Sequence, residues 1–215
     1  MKRIAYLGMS AAALMFVSCG GETPEGENNG TDTTGTEVVE VEKTVNTFTI
    51  DTSASTLNWK GYESPTSEES YHYGTVAISG GTFEITSEGD NHMVTAGELT
   101  VDMNRIESGE ELEKLVGHLN SADFFNVAEY TTATFTVNGQ DGEMLTGTLN
   151  LLGTDLNVEA PVAIDVTEGI ATVSVSDFRV DVTPLNMPFF VEDAKAPAEE
   201  QHDPKIGVNA TIVGM

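Results

Sequence analysis

Positive charge is scarce in this chain. Its 215 residues hold 9 Lys and Arg against 35 Asp and Glu, a formal net charge of −26. So acidic a surface is repelled by phosphate backbones and by anionic lipid headgroups. That excludes nucleic acid as a partner and a polybasic patch as a membrane attachment. Cysteine is nearly absent as well. The single Cys19 permits no intrachain disulfide and no multi-cysteine zinc or iron–sulfur site. No apolar run reaches the roughly 18 residues that a membrane-spanning helix requires. The four histidines, His72, His92, His118 and His202, lie far apart without metal-ligand spacing, so no metal site is expected. There is no Gly-x-Ser-x-Gly elbow, P-loop or dinucleotide fingerprint. No catalytic residue is assigned, and the chain reads as a non-enzyme without a cofactor.

What is present begins with a leader. Lys2 and Arg3 precede an apolar stretch from Ile4 to Val17, too short to span a bilayer, and the stretch ends in Ser18-Cys19. The unique cysteine stands where a bacterial lipoprotein signal peptidase cuts, so residues 1–18 read as a lipoprotein signal peptide and Cys19 as the lipidated residue. More than one acyl chain at Cys19 would give stable anchoring. Residues 19–46 follow as an acidic flexible tether, rich in Gly, Thr, Asn and Glu and free of aromatic residues. As a coil, its length after Cys19 corresponds to about 26–31 Å root-mean-square. The expected location is the cell envelope of a Gram-negative bacterium, lipid-anchored at the outer membrane, on its periplasmic or surface-exposed face.

From about Thr47 the pattern changes to short runs of period two. Leu57 and Trp59, Val76 and Ile78, Leu99, Val101 and Met103, then Ala133, Phe135 and Val137 alternate with polar neighbours. So do Leu145 to Leu151, Val162 to Val166, and Ile206 to Ile212. Alternation means strands with one buried face, and the separators carry turn chemistry, as at Glu88-Gly89-Asp90-Asn91 and Glu168-Gly169. Gly80-Gly81 reads as a further separator ahead of Phe83 and Ile85. Val173 and Val175 are odd whereas Phe178, Val180 and Val182 are even, so a bulge is expected near Asp177. One segment departs from period two. Ser108-Gly109-Glu110-Glu111 has capping-box spacing, and Leu112, Leu115, Val116 and Leu119 follow at i, i+3, i+4, i+7, which predicts an amphipathic helix over about 109–119 that seals one barrel end or packs on its wall. Ser121 is placed to cap a short following turn. The sum is an all-β fold, eight or more antiparallel strands with one helical insertion, and closure into a barrel removes the sheet edges.

Within this frame His118-Leu119-Asn120-Ser121-Ala122-Asp123-Phe124-Phe125-Asn126-Val127, with Tyr130 and Ala133-Thr134-Phe135, resembles the central signature of the YceI-like, polyisoprenoid-binding family. Asp51 to Gly61, His72-Tyr73-Gly74, Val101 to Ile106 and Gly147 to Gly153 resemble its flanking segments in order. The resemblance covers about 47–215. Thr131 stands where the family has Pro, and Asp181-Val182-Thr183 where it has Asp-Arg-Thr. The resemblance implies a lipocalin-like antiparallel β-barrel of about eight strands, holding an isoprenoid or a similar long apolar lipid as a carrier or store.

The candidate lipid-binding residues are the apolar bulk near those motifs, Trp59, Met103, Phe124, Phe125 and Phe135, together with His72 and His118. Each is also what an ordinary core or helix end requires. Arg105 and Lys60 are candidate partners for a phosphate head. Phe189 and Phe190, in the long 184–204 connection with Met187, are candidates for a lid over the barrel mouth or for a pin that holds the connection to the wall. The competing reading is an envelope lipoprotein with a filled barrel that binds a protein partner. Inner volume separates the two, because an eight-stranded barrel is either filled by its own side chains or holds one small ligand.

Overall fold

The computed structural model describes residues 42–215. The expected leader, Cys19 and most of the expected tether lie outside them. Nine strands make one antiparallel sheet: β1 Lys43–Thr49, β2 Thr56–Tyr62, β3 Tyr71–Glu88, β4 Asn91–Ser108, β5 Thr132–Asp141, β6 Met144–Leu151, β7 Thr154–Thr167, β8 Ile170–Asp181 and β9 Lys205–Gly214. The order is β1-β3-β2-β9-β8-β7-β6-β5-β4, and β4 pairs back onto β3. Strands β2 to β9 therefore close an eight-stranded barrel. β1 is the extra strand, paired with the second half of β3 from Lys43↔Glu88 to Thr49↔Thr82. A domain boundary at 47 thus falls inside β1.

The phase slip in β8 is a bulge. The β8–β9 register shifts between Val175 and Phe178, and the even-numbered Phe178, Val180 and Val182 continue the inward face. The Gly80-Gly81 pair does not separate two strands. It lies inside the 18-residue β3, where the register with β4 shifts between Ile78 and Gly80. A further irregularity lies between Val76 and Ala77: Val76 faces Ile106 and Ala77 faces Asp102, so Met103, Asn104 and Arg105 have no β3 partner.

Helix α1 runs Glu113–Asn120, four residues later than the capping box predicts. Ser108 belongs to β4, paired with Gly74, and the Gly109 N–H donates to the Tyr73 carbonyl at 2.9 Å. Strand pairing thus holds the residue that would cap the helix. Its Oγ accepts from the Glu110 N–H at 3.2 Å, and Glu111 takes a left-handed φ of 56° before the helix begins. Of the expected apolar stripe, Leu119 is buried, Leu115 and Val116 are half-buried, and Leu112 is exposed. Leu112 therefore does not seal the barrel. Ser121 closes the helix, donating to the His118 carbonyl at 2.7 Å and accepting from the Asp123 N–H at 3.2 Å.

The 184–204 connection is folded. It contains a 3-10 turn at Thr183–Leu185, helix α2 at Pro188–Asp193 and a second 3-10 turn at Ala198–Glu200. Both α-helices sit at the barrel end where β4 and β8 finish and β9 begins. The opposite end is closed by the hairpins β3–β4, β5–β6 and β7–β8 and by β1. We call these the helix end and the hairpin end.

Candidate functional site: an apolar chamber inside the barrel

Alternation puts one residue in two of every barrel strand inside. At the hairpin end these side chains meet and fill the space. Phe48 and Phe83 stack at 5.5 Å between ring centroids, and Ile85 and Ala171 are 0% exposed. Through the middle and towards the helix end they do not meet. Leu57, Trp59, Phe135, Leu149, Val175 and Val208 all point inward, yet each is only half-buried. Their remaining surface faces a cavity of about 270 Å³. The lining is almost wholly hydrocarbon. It runs from Ile50 and Phe83 at the hairpin end to Leu119 of α1, Phe124 and Phe125 of the following turn, and Phe190 of α2.

Two glycines keep large rings against the wall. Trp59 faces Gly74 across the β2–β3 pair, and a Cβ on Gly74 would lie 2.8 Å from Trp59 Cζ2. The Trp59 Nε1–H donates to the Thr75 carbonyl at 3.2 Å, which fixes the ring there. Gly147 on β6 seats the Phe135 ring in the same way; a Cβ would collide with Phe135 Cζ and Cε2. Rings laid over missing side chains thicken the wall without crossing the chamber.

Of the residues picked out in the sequence, Trp59, Met103, Phe124, Phe125, Phe135 and Phe190 line the chamber. The β3–β4 irregularity explains Met103, buried in the lining, and Arg105, which stays exposed beside Glu107 in a separate polar hollow on the outside. Lys60 is on the outer face too, 3.6 Å from Asp177 and over the Tyr71 ring. His72 lies at the rim of β3, with Nδ1 2.9 Å from Glu110 and Nε2 3.4 Å from Glu63. His118 sets its ring edge-on to Phe124 at 4.9 Å and to Phe189 at 5.7 Å, outside the chamber.

Phe189 and Phe190, the candidates for lid or pin, face different surroundings. Phe190 reaches the chamber. Phe189 stacks on Phe124 at 4.5 Å, meets His202 edge-on at 5.1 Å, and donates its N–H to the Asp123 carbonyl at 3.1 Å. Met187 beside them is 1% exposed. The connection is fastened at its far side as well. His202 meets Asp193 at 2.9 Å, and the buried Asp203 carboxylate pairs with Arg179, whose other nitrogen is 2.7 Å from Glu68. The residues missed in the sequence are the rest of the apolar wall, Val175, Phe178 and Val208 among them. Their only signal was inward parity. Among the described residues no three His, Cys, Asp or Glu side chains gather as a metal site.

A closed antiparallel barrel of eight strands around an apolar interior is lipocalin-like in architecture. The chain belongs to the YceI-like family: the family's YceI-like domain matches residues 48–197. The fold is similar to that of a polyisoprenoid binding domain from Saccharophagus degradans implicated in plant cell wall breakdown, at 14% identity and TM-score 0.56, covering 78% of this chain and 97% of that one. It is also similar to BcnA of Burkholderia cenocepacia, at 14% identity and TM-score 0.55, covering 77% and 99% of the two chains. No curated protein matches the chain in sequence.

Proposed function

We propose that this protein is a lipid-anchored binding protein that holds an isoprenoid or a similar long apolar lipid inside its barrel, as a carrier or store and without chemistry. The observation that carries the reading is the chamber, about 270 Å³ lined by hydrocarbon. Left empty, such a volume forgoes about 6 kcal/mol at roughly 24 cal/mol per Å³. That is of the order of a whole domain's net stability, about 5–15 kcal/mol. An apolar chain returns that energy at about 0.8 kcal/mol per buried methylene, and needs no polar partner along its length. The similar domain from Saccharophagus degradans, described as polyisoprenoid binding, supports the same ligand class. The alternative, a filled barrel that presents only its outer face to a protein partner, does not account for the half-buried Trp59, Phe135 and Val208 inside.

The anchor belongs to the proposal: Cys19, outside the described residues, is its attachment, and the cell envelope of a Gram-negative bacterium, at the outer membrane, its place. The test is native mass spectrometry of the protein taken from its own membranes, with organic extraction of what co-purifies. A stoichiometric apolar lipid in the extract supports the carrier. Protein of bare mass that also fails to take up an added prenol rejects it.

A further inference from the structure

The barrel's helix end is ringed by carboxylates. Glu63, Glu68 and Glu69 lie in the β2–β3 connection, Glu110 and Glu111 between β4 and α1, and Glu113 opens α1. The cationic and imidazole side chains at this end are already matched to acids. His72 lies between Glu63 and Glu110, His118 beside Asp123, His202 beside Asp193, Arg179 between Glu68 and Asp203, and Lys195 2.6 Å from Glu192. Lys205 is close enough to Asp181 to help lower its pKa. Lys114 alone is placed there without an acidic partner among the described residues. No cation lines the chamber, and the two residues that sequence reading offers to a phosphate, Lys60 and Arg105, are on the outer surface. One buried side-chain polar atom is without a partner among the described residues. It is Asn120 Oδ1, at the C-terminal end of α1, and Asn120 is not among the residues that line the chamber.

We infer that the ligand carries an uncharged polar head, an alcohol, amide or similar group, and that the acidic rim selects against lipid phosphates and diphosphates of the same chain. This rests on the lipid-binding reading and refines it. A head group emerging at the helix end meets a field of one sign at the edge of a low-dielectric chamber. There, like charge lowers the effective concentration of an anionic ligand and the strength with which its head is held.

Trp59 is the only tryptophan and lines the chamber, so its fluorescence reports occupancy. The delipidated protein is titrated with geranylgeraniol and with geranylgeranyl diphosphate, which share one chain and differ only in the head. The alcohol is expected to bind at least about tenfold more tightly at low salt, with the gap narrowing near 1 M salt, where the Debye length is about 3 Å. Replacing exposed acids, Glu111→Gln with Glu113→Gln, should bring the diphosphate's affinity towards that of the alcohol. Equal or tighter binding of the diphosphate, or a gap indifferent to salt and to these substitutions, overturns the inference while leaving the carrier intact. Silence of Trp59 towards both ligands overturns the carrier reading and this inference with it.

Discussion

The hairpin end and the helix half of this barrel are built from the same residue types on the same alternating strands, and they do opposite things. At the hairpin end Phe48, Phe83, Ile85 and Ala171 interdigitate until Ile85 has no exposed surface. In the helix half Trp59, Phe135, Phe178 and Val208 point inward as regularly but stop short of one another. The difference lies in where the bulk is directed. The Phe48–Phe83 stack fills space across the interior. Trp59 and Phe135 lie flat over Gly74 and Gly147, so that their volume joins the wall. Phe83 also packs against glycines, Gly97 opposite it in β4 and Gly214 in β9, so the halves differ in whether a second ring, Phe48, lies on the first.

The largest effect should come from breaking the solid end. Ile85→Ala removes a fully buried side chain from a place where neighbours cannot collapse, and should cost about 2–5 kcal/mol in chemical denaturation. Lipid affinity, measured on the protein that remains folded, should change little, since Ile85 does not line the chamber. If affinity falls as steeply as stability, the two halves are one cooperative unit and the contrast between them fails.

Gly147→Ala attacks the hollow half from behind. The new methyl would collide with the Phe135 ring and approach the Thr136 carbonyl at 2.7 Å. Overpacking of this kind costs about 1–3 kcal/mol. The ring's way out is into the chamber, so uptake of a long prenol should drop, and Phe135→Leu in the same chain should restore part of it. Uptake that survives the single substitution would mean that the ring's seat does not set the capacity.

Most of the barrel was legible in the sequence, because period two needs only one buried face per strand. Even the Asp177 bulge showed as a change of phase. What was not legible depended on pairing partners distant in sequence. The capping box at Ser108 could not reveal that Gly74 would hold it in β4. Gly80-Gly81 reads as a turn and serves as a bend, since both uses need the same backbone freedom. Arg105 and Met103 part company because three residues of β4 lose their β3 partners there. The hollow itself left no local mark: the alternation that lines a chamber is the alternation that fills a core. The family signature marked Phe124 and Phe125 but could not show that Phe189 would stack on the first of them.

At the helix end the comparison narrows to two adjacent rings. Phe190 faces the chamber, whereas Phe189 is clamped between Phe124 and His202. Phe190→Ala should weaken prenol binding with a modest change in melting temperature. Phe189→Ala should lower the melting temperature by more and affect binding by less. The fastening behind them is tested by Asp203→Ala, which leaves Arg179 without its buried partner and should cost about 1–3 kcal/mol. Identical behaviour of the two phenylalanine variants would show that α2 acts as one rigid plug.

The smallest effect compares two carboxylates, one on each end. Asp51, between β1 and β2, accepts from the Ser53 hydroxyl at 2.6 Å and from the Ser53 and Ala54 N–H groups. Asp181 accepts from the Thr183 N–H at 2.9 Å, where β8 leads into the connection that carries α2. In both, hydrogen bonds to the charged form lower the pKa below the ordinary 3.8, with the side chain of Ser53 or Thr183 as the first cause. A carboxylate with a lowered folded-state pKa contributes stability that is fully present above its unfolded pKa. The contribution is lost as pH falls through the folded value, so it shows only in the acid limb, below about pH 4. Asp181→Asn and Asp51→Asn should each lower the neutral-pH plateau slightly and flatten that limb, leaving stability well below pH 4 close to that of the parent. Only the first should loosen the helix end, read as faster amide exchange in α2 at pH 7. If Asp51→Asn speeds exchange in α2 equally, the two ends are coupled through the barrel wall and not fastened separately.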